Sequence, residues 1–271
     1  MFNFNNCEEQ AQVGVFGGSG FYKFLDDIKE IKVETPYGSP SDKIMLGTIG
    51  NKKVAFLPRH GRNHDILPHQ INFRANVWAM KSLGVTRVIS PCAVGSLQKE
   101  IAPGDFVICD QYVNFTSGRK DTFFEGPICT HISVADPYCP ELRALAIKVA
   151  RDNGVNVHTT GTMLVINGPR FSTKAESKFF TSQGWSVIGM TNYPESYLCK
   201  ELDMCPVNIS LVTDYDAGLV SDTEPVSHKA VIEIFNNNIA NLKKVLFDFI
   251  EQIPEQRNAC DCAQTLENGR L

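Results

Sequence analysis

Apolar and polar positions in this chain follow two periods, and the period switches many times. Val13 to Phe16 is a short apolar run that opens into the glycine-rich turn at 17–20. The stretch "KIMLGTIGNKKVAFLPRH" holds two β-rich runs around Gly50-Asn51 and predicts a hairpin. In "INFRANVWAMKSLG" the apolar residues Ile71, Phe73, Val77, Trp78 and Met80 fall at helical spacing before Gly84, so a helix with a glycine stop is expected. "TRVIS" predicts a strand, "PCAVGSL" a loop, and "GDFVICDQYVNF" one further strand. "PELRALAIKVARDNG" begins with proline and ends with glycine, which suits a helix. After it come a strand "TMLVI", a loop "NGPRFS", a helix "TKAESKFFTSQG", a strand "WSVIGM" and a helix "PESYLCKELDM". "VNISLVTDYDAGL" is a buried strand that turns acidic at its end. A long amphipathic helix from about 226 to 250 carries Val231, Ile234, Phe235, Ile239, Leu242, Val245, Leu246 and Phe249 on one face. The tail "PEQRNACDCAQTLENGRL" is polar and reads as loose.

Strands alternating with helices predict an α/β fold in three layers, a central parallel or mixed sheet flanked by helices. The expected organisation is an N-terminal extension at 1–12, a single domain at 13–252 and a C-terminal tail at 253–271 that carries a C-x-C pair. The 271 residues, 43 % hydrophobic and 21 % charged, suit one sizeable core. A net charge of -4 gives no basic footprint for nucleic acid or an anionic membrane. No apolar run reaches the ~20 residues of a membrane span, and the start lacks a signal-peptide pattern. A cytoplasmic location is expected.

Nine cysteines is a high count. The pair Cys260 and Cys262 is too compact for the usual zinc spacing, and no C-x-x-C follows it. Small buried side chains and disulfides both remain open, although an ordinary cytosol keeps thiols reduced.

Ligands of such folds gather beyond the carboxyl ends of strands, and those ends carry the candidate chemistry. The turn "GVFGGSG" is either a plain glycine turn or a phosphate cradle built from backbone N–H groups and the Ser19 hydroxyl. Its glycine spacing also occurs in short-chain dehydrogenases, but no tyrosine here has a lysine four residues on. "LPRHGRNH" supplies Arg59 and His60, either a surface pair or an oxyanion holder. "SPCAVGSL" brings Cys92 and Ala93, and "GMTNYPES" brings Met190 and Thr191. Asp214 and Asp216 are two apart at the end of a strand and therefore share a face if the strand runs that far. They suit a metal, a turn cap, or a purine edge. In the last case an Asp with a raised pKa gives a proton to N7 and a second carboxylate accepts from an amino group.

Together the motifs "GGSG", "LPRHGRNH", "AVGSL", "PGDFVICDQYVNFT", "GPRFSTKAES", "GMTNYPE" and "VTDYDAG" resemble the trimeric nucleoside phosphorylases, and within them the 5'-methylthioadenosine phosphorylases. The resemblance spans about 13 to 250. It implies phosphorolysis of 5'-methylthioadenosine to adenine and 5-methylthioribose 1-phosphate, with inorganic phosphate as co-substrate and no metal or organic cofactor. A broad or 6-oxopurine nucleoside phosphorylase is the nearest alternative, and a nucleoside-binding protein without turnover a remoter one. By position it implies phosphate contacts from Ser19, Arg59, His60, Cys92, Ala93 and Thr191, and Met190 against the ribose. Phe171, Ser172 and Tyr215 belong around the base, with Asp214 on adenine N7 and Asp216 on N6. His131 looks like the residue that reaches the 5'-substituent held by a neighbouring subunit of a homotrimer or a hexamer of two trimers. Ser172, His228 and His131 are the implied specificity positions. His228 stands where 6-oxopurine relatives carry a histidine that bonds the ribose 5'-hydroxyl, and good use of adenosine would result. Cys92 departs from the Thr or Ser of relatives. Cys139, Cys199, Cys205 and the tail pair resemble thermophile members with disulfides, implying Cys139 with Cys205 and Cys199 with the tail.

Overall fold

A computed structural model describes residues 4, 8–17, 26–127, 129–217, 219 and 228–269. The turn residue Ser19 lies outside them, and so does the side chain of His228.

The sheet grows outward from two buried parallel strands, β1 (Val13–Gly17) and β4 (Lys52–Pro58), which pair along five residues. Two antiparallel strands, β2 (Asp26–Ile31) and β3 (Ile44–Ile49), extend that edge, and β3 and β4 form the expected hairpin with Gly50 at φ +57°. On the other side of β1 lies β5 (Arg87–Ser96), the strand that organises the molecule. It pairs in parallel with β11 (Cys205–Tyr215) along its whole length, and at its far end in antiparallel with β10 (Val187–Gly189). From β10 the sheet continues in parallel through β9 (Thr162–Ile166) to β7 (Gln111–Phe115). Short strands β6 (Phe106–Val107) and β8 (Val157–His158) extend it from β11.

Period-two alternation divides the core between the two faces of this sheet. Val54 and Phe56 of β4 face a cluster built on α2 (Pro140–Asp152) and α5 (His228–Gln252), where Leu142, Val149, Leu242, Val245 and Phe249 are buried. Ala55 and Leu57 face the opposite cluster, built on α1 (Phe73–Ser82) and α4 (Asn192–Glu201) with Val77, Trp78 and Leu198. The mixed sheet flanked by helices is the fold class that the alternation predicts. Among the described residues no helix is long and apolar enough to cross a membrane.

Three local expectations need correction. "PCAVGSL" is mostly strand: β5 runs through Pro91 to Ser96. Pro91 breaks no ladder bond because β1 has already left that edge, its last partner on β5 being Ile89, and the Pro91 carbonyl instead accepts from Arg59. "GDFVICDQYVNF" divides into β6 and β7. The tail is docked rather than loose. A short 3-10 turn at Cys262–Gln264 leads into α6 (Thr265–Gly269), and Cys262 and Thr265 are buried.

Candidate active site

Three strand ends meet around β5. Ala93 is the one exposed position in an otherwise buried strand, which marks an opening above the centre of the sheet. Arg59 and His60 follow β4, Met190 and Thr191 follow β10, and the acids close β11.

Arg59 is buried and four of its five donor hydrogens are committed. Nε and Nη2 grip the Glu195 carboxylate, both at 2.9 Å, while Nη2 also reaches the Phe16 carbonyl at 2.6 Å and Nη1 the Pro91 carbonyl at 3.0 Å. Glu195 is fully buried and accepts a further bond of 2.6 Å from Ser90 Oγ. Burial works to lower the Arg59 pKa, but the charge and hydrogen bonds of Glu195 leave it raised. This bidentate pair neutralises a cation that would be costly alone in the interior. The sequence gives no sign of it, since the partners are 136 positions apart.

His60 Nδ1 stands 2.9 Å from the Ile66 carbonyl. Burial, with the charges of Arg59 and His64 behind it, pushes its pKa down to about 4, so the ring is neutral at pH 7. A carbonyl only accepts, so the proton sits on Nδ1 and Nε2 keeps a lone pair. Cys92 and Thr191 come together, Sγ lying 3.6 Å from Oγ1, and burial raises the Cys92 pKa, leaving a neutral thiol. Thr191 precedes α4 without capping it, so its hydroxyl is not spent on the helix.

The acids sit on an irregular strand end. β11 gains one residue against β5 between Val212 and Asp214, a bulge that re-aims the end of the strand. Asp214 is paired with Gly95, and a Cβ there would stand 3.1 Å from Asp214 Oδ2 and 3.0 Å from Ile188 Cγ2, so glycine leaves the room that the carboxyl occupies. Thr213 Oγ1 donates to Asp214 Oδ1 at 2.8 Å. Burial pushes Asp214 up to about 6; the Thr213 bond opposes this and the Asp216 charge adds to it. Asp216 lies one residue past the strand and is tied to it by its N–H to the Ser96 carbonyl at 2.9 Å. Its pKa is also raised by burial, against the Ser177 and Ser172 hydroxyls nearby. Neither hydroxyl closes a bond of ordinary geometry, and Asp216 Oδ2, Ser172 Oγ and Ser177 Oγ are all buried without a partner. Buried polar atoms are rarely left so. Three at one place describe a polar ligand edge that is complementary to them.

Ser177 was not anticipated from sequence. It lies on α3 (Lys174–Ser182), a helix started by a Thr173–Glu176 capping box, where a lone serine among polar residues carries no signal. Met190 is half-buried; its carbonyl accepts from Arg119 at 2.8 Å, and its sulfur packs where a Cβ on Gly168 would stand, which fixes the loop ahead of Phe171. Phe171 is 37 % exposed. Tyr215 points away from the acids, its hydroxyl 3.3 Å from the Lys99 carbonyl. His131 is exposed and lines a separate cavity of about 630 Å³ with Asp110, Tyr138, Arg143 and Lys200. Within one chain it does not join the acids.

The chain has near full-length counterparts among known proteins. An S-methyl-5'-thioadenosine phosphorylase of Nitrosopumilus maritimus is 50 % identical over 266 residues, covering 97 % of this chain and all of that one. A purine nucleoside phosphorylase of Streptomyces coelicolor is 48 % identical over 266 residues, covering 95 % of both. The crystallised methylthioadenosine phosphorylase of Schistosoma mansoni, in complex with adenine, superposes with a TM-score of 0.91 at 32 % identity over 96 % of this chain and 99 % of that one. A family model described as the phosphorylase superfamily matches residues 12–251, which take in the sheet, both helical layers and every strand end of the site; this chain belongs to that superfamily.

Proposed function

We propose that this protein is an enzyme that splits 5'-methylthioadenosine with inorganic phosphate into adenine and 5-methylthioribose 1-phosphate. The observation that carries the reading is the acid pair. Asp214 holds a proton up to about pH 6, and Asp216 keeps one carboxylate oxygen unpaired beside two unpaired serine hydroxyls. Adenine presents an acceptor at N7 next to a donor at its amino group. Asp214 gives its proton to N7 as the glycosidic bond breaks, so the base leaves neutral, and Asp216 accepts from the amino group. The transition state gathers positive charge on the sugar, and phosphate on the opposite side balances it and forms the new C–O bond. Phosphate is held by Arg59, His60, Cys92, Ala93, Thr191 and the glycine turn with Ser19. Met190 lies against the ribose and Phe171 beside the base. The chemistry uses no metal or organic cofactor.

The working form is a cytoplasmic homotrimer or a hexamer of two trimers, in which His131 reaches the 5'-substituent held by a neighbouring chain. Its exposure on the single chain supports this. The resemblance at His228 supports use of adenosine as well.

The name of the Streptomyces relative favours a second reading, a purine nucleoside phosphorylase of wider range. Asp216 opposes it for 6-oxopurines, because a carboxylate facing O6 sets acceptor against acceptor at about 1–3 kcal/mol. A substrate panel with and without phosphate decides. Adenine released from methylthioadenosine only when phosphate is present is expected. Phosphate-independent release, or faster turnover of inosine, would overturn the assignment.

A further inference from the structure

At the opposite end of β11 from the acids, four thiols converge. Cys139 closes the loop before α2, Cys205 opens β11, and Cys260 and Cys262 arrive from the tail. Their sulfurs all lie within 4.8 Å of one another, with Cys205 and Cys260 at 3.6 Å. Cys139, Cys205 and Cys262 are buried and Cys260 is half-buried; none is in a disulfide. The sequence distance between the tail pair and the other two hid this arrangement. Cys199 is not among the four and sits in the α1–α4 core, so the pairing of Cys199 with the tail has no support in the geometry.

We propose that these four cysteines are a closed structural site for a zinc-class divalent ion. Four thiolates about 2.3 Å from a tetrahedral ion stand about 3.8 Å apart, a spacing to which this cluster needs only small side-chain adjustments. A disulfide would draw two sulfurs to about 2.0 Å and strand the others. The ion displaces the thiol protons, which pass to solvent, and no electron moves. A tetrathiolate carries net negative charge, and a cation is already beside it: Lys200 is buried, with Nζ 3.8 Å from Cys262 Sγ. Such outer-shell partners accompany real metal sites.

The site would staple a tail that has few other anchors. Arg257 donates to the Asp203 carbonyl at 2.7 Å, Leu266 N–H to Asp203 Oδ1 at 2.8 Å, and the Gly269 carbonyl accepts from the His131 N–H at 2.8 Å. Through that last bond the staple also holds the segment that carries His131. Asp214 is nine positions further along β11, about 30 Å at 3.3 Å per residue, so the proposal is independent of the nucleoside used.

The test starts from protein reduced with a non-chelating phosphine and stripped by chelator. After zinc is added and the excess removed by gel filtration, about one zinc per chain is expected by elemental analysis. Cobalt(II) in its place should give the sulfur-to-metal charge-transfer spectrum of a tetrahedral tetrathiolate. Cys260→Ser combined with Cys262→Ser should lower zinc retention at least tenfold, and Cys199→Ser should leave it unchanged. If the double variant does not fold, the wild-type cobalt spectrum decides alone. Zinc below about a tenth of an equivalent, a cobalt spectrum without thiolate ligands, equal retention by the double variant, or a Cys139–Cys205 disulfide forming in zinc-loaded protein would each overturn the site.

Discussion

Two ionic pairs lie buried in the same site and are built on opposite principles. Arg59 and Glu195 carry opposite charges and have partners on nearly every polar atom. Asp214 and Asp216 carry like charges, both are raised by burial, and an oxygen of Asp216 has no partner. The first pair is nearly complete without a ligand, with one Nη1 hydrogen of Arg59 left over for an anion, and it fixes the backbone around it. The second pair is unfinished, and folding alone gives no reason to keep it. What the protein needs in order to hold its shape and what it needs in order to act are therefore separable, residue by residue.

The strongest break comes from Asp214→Asn. It should lower kcat/KM for methylthioadenosine by about 10²–10⁴, the range for losing a general acid. The same change should raise stability at alkaline pH. The folded pKa of Asp214 lies above its usual 3.8, so its favourable contribution is full below that value and is lost as pH rises through about 6. Thermal melts should show the variant gaining on the wild type at pH 8, by up to about 3 kcal/mol, and by about half as much at pH 5. Equal melting shifts at both pH values would mean that Asp214 is not strained in the free protein.

Glu195→Gln should do the reverse. It leaves a buried guanidinium without its counter-charge, a loss of about 3–5 kcal/mol, read as a fall in the urea midpoint. A variant that melts like the wild type would remove the distinction between the pairs. Asp216→Asn should act on selectivity instead. An amide can donate to O6, so the ratio of kcat/KM for inosine over that for adenosine should rise by about fivefold to 150-fold, the span of 1–3 kcal/mol. The smallest effect is expected from Gly95→Ala, whose Cβ would press on the Asp214 carboxyl from 3.1 Å. A stability loss at the lower end of the 1–3 kcal/mol typical of overpacking is expected, with an acidic limb in the pH–rate profile that shifts while KM for phosphate stays put.

The layered fold was legible because its helices are strongly periodic and end at glycines such as Gly84 and Gly154, both at positive φ. The acids were legible because they break an apolar strand. Other features were hidden for physical reasons. Pro91 and Gly95 look like turn residues, yet one sits where no ladder bond is due and the other makes space for a carboxyl. The bulge before Asp214 is a register effect that depends on a second strand. Glu195, Ser177 and the four-thiol cluster depend on partners brought together only by the fold. Tail composition predicted a loose end because polarity was visible and the buried face of Cys262 was not.

The carbonyl of Ile66 reaches beyond the ring it orients. By taking the proton on His60 Nδ1, it turns Nε2 into a base that wants a hydrogen from whatever anion comes to rest there. Hydrogen phosphate carries such a hydrogen at neutral pH; sulfate has the same shape and charge and carries none. With phosphate placed at His60 as proposed, a single backbone oxygen would favour hydrogen phosphate over sulfate, two tetrahedral dianions that no measure of size could tell apart.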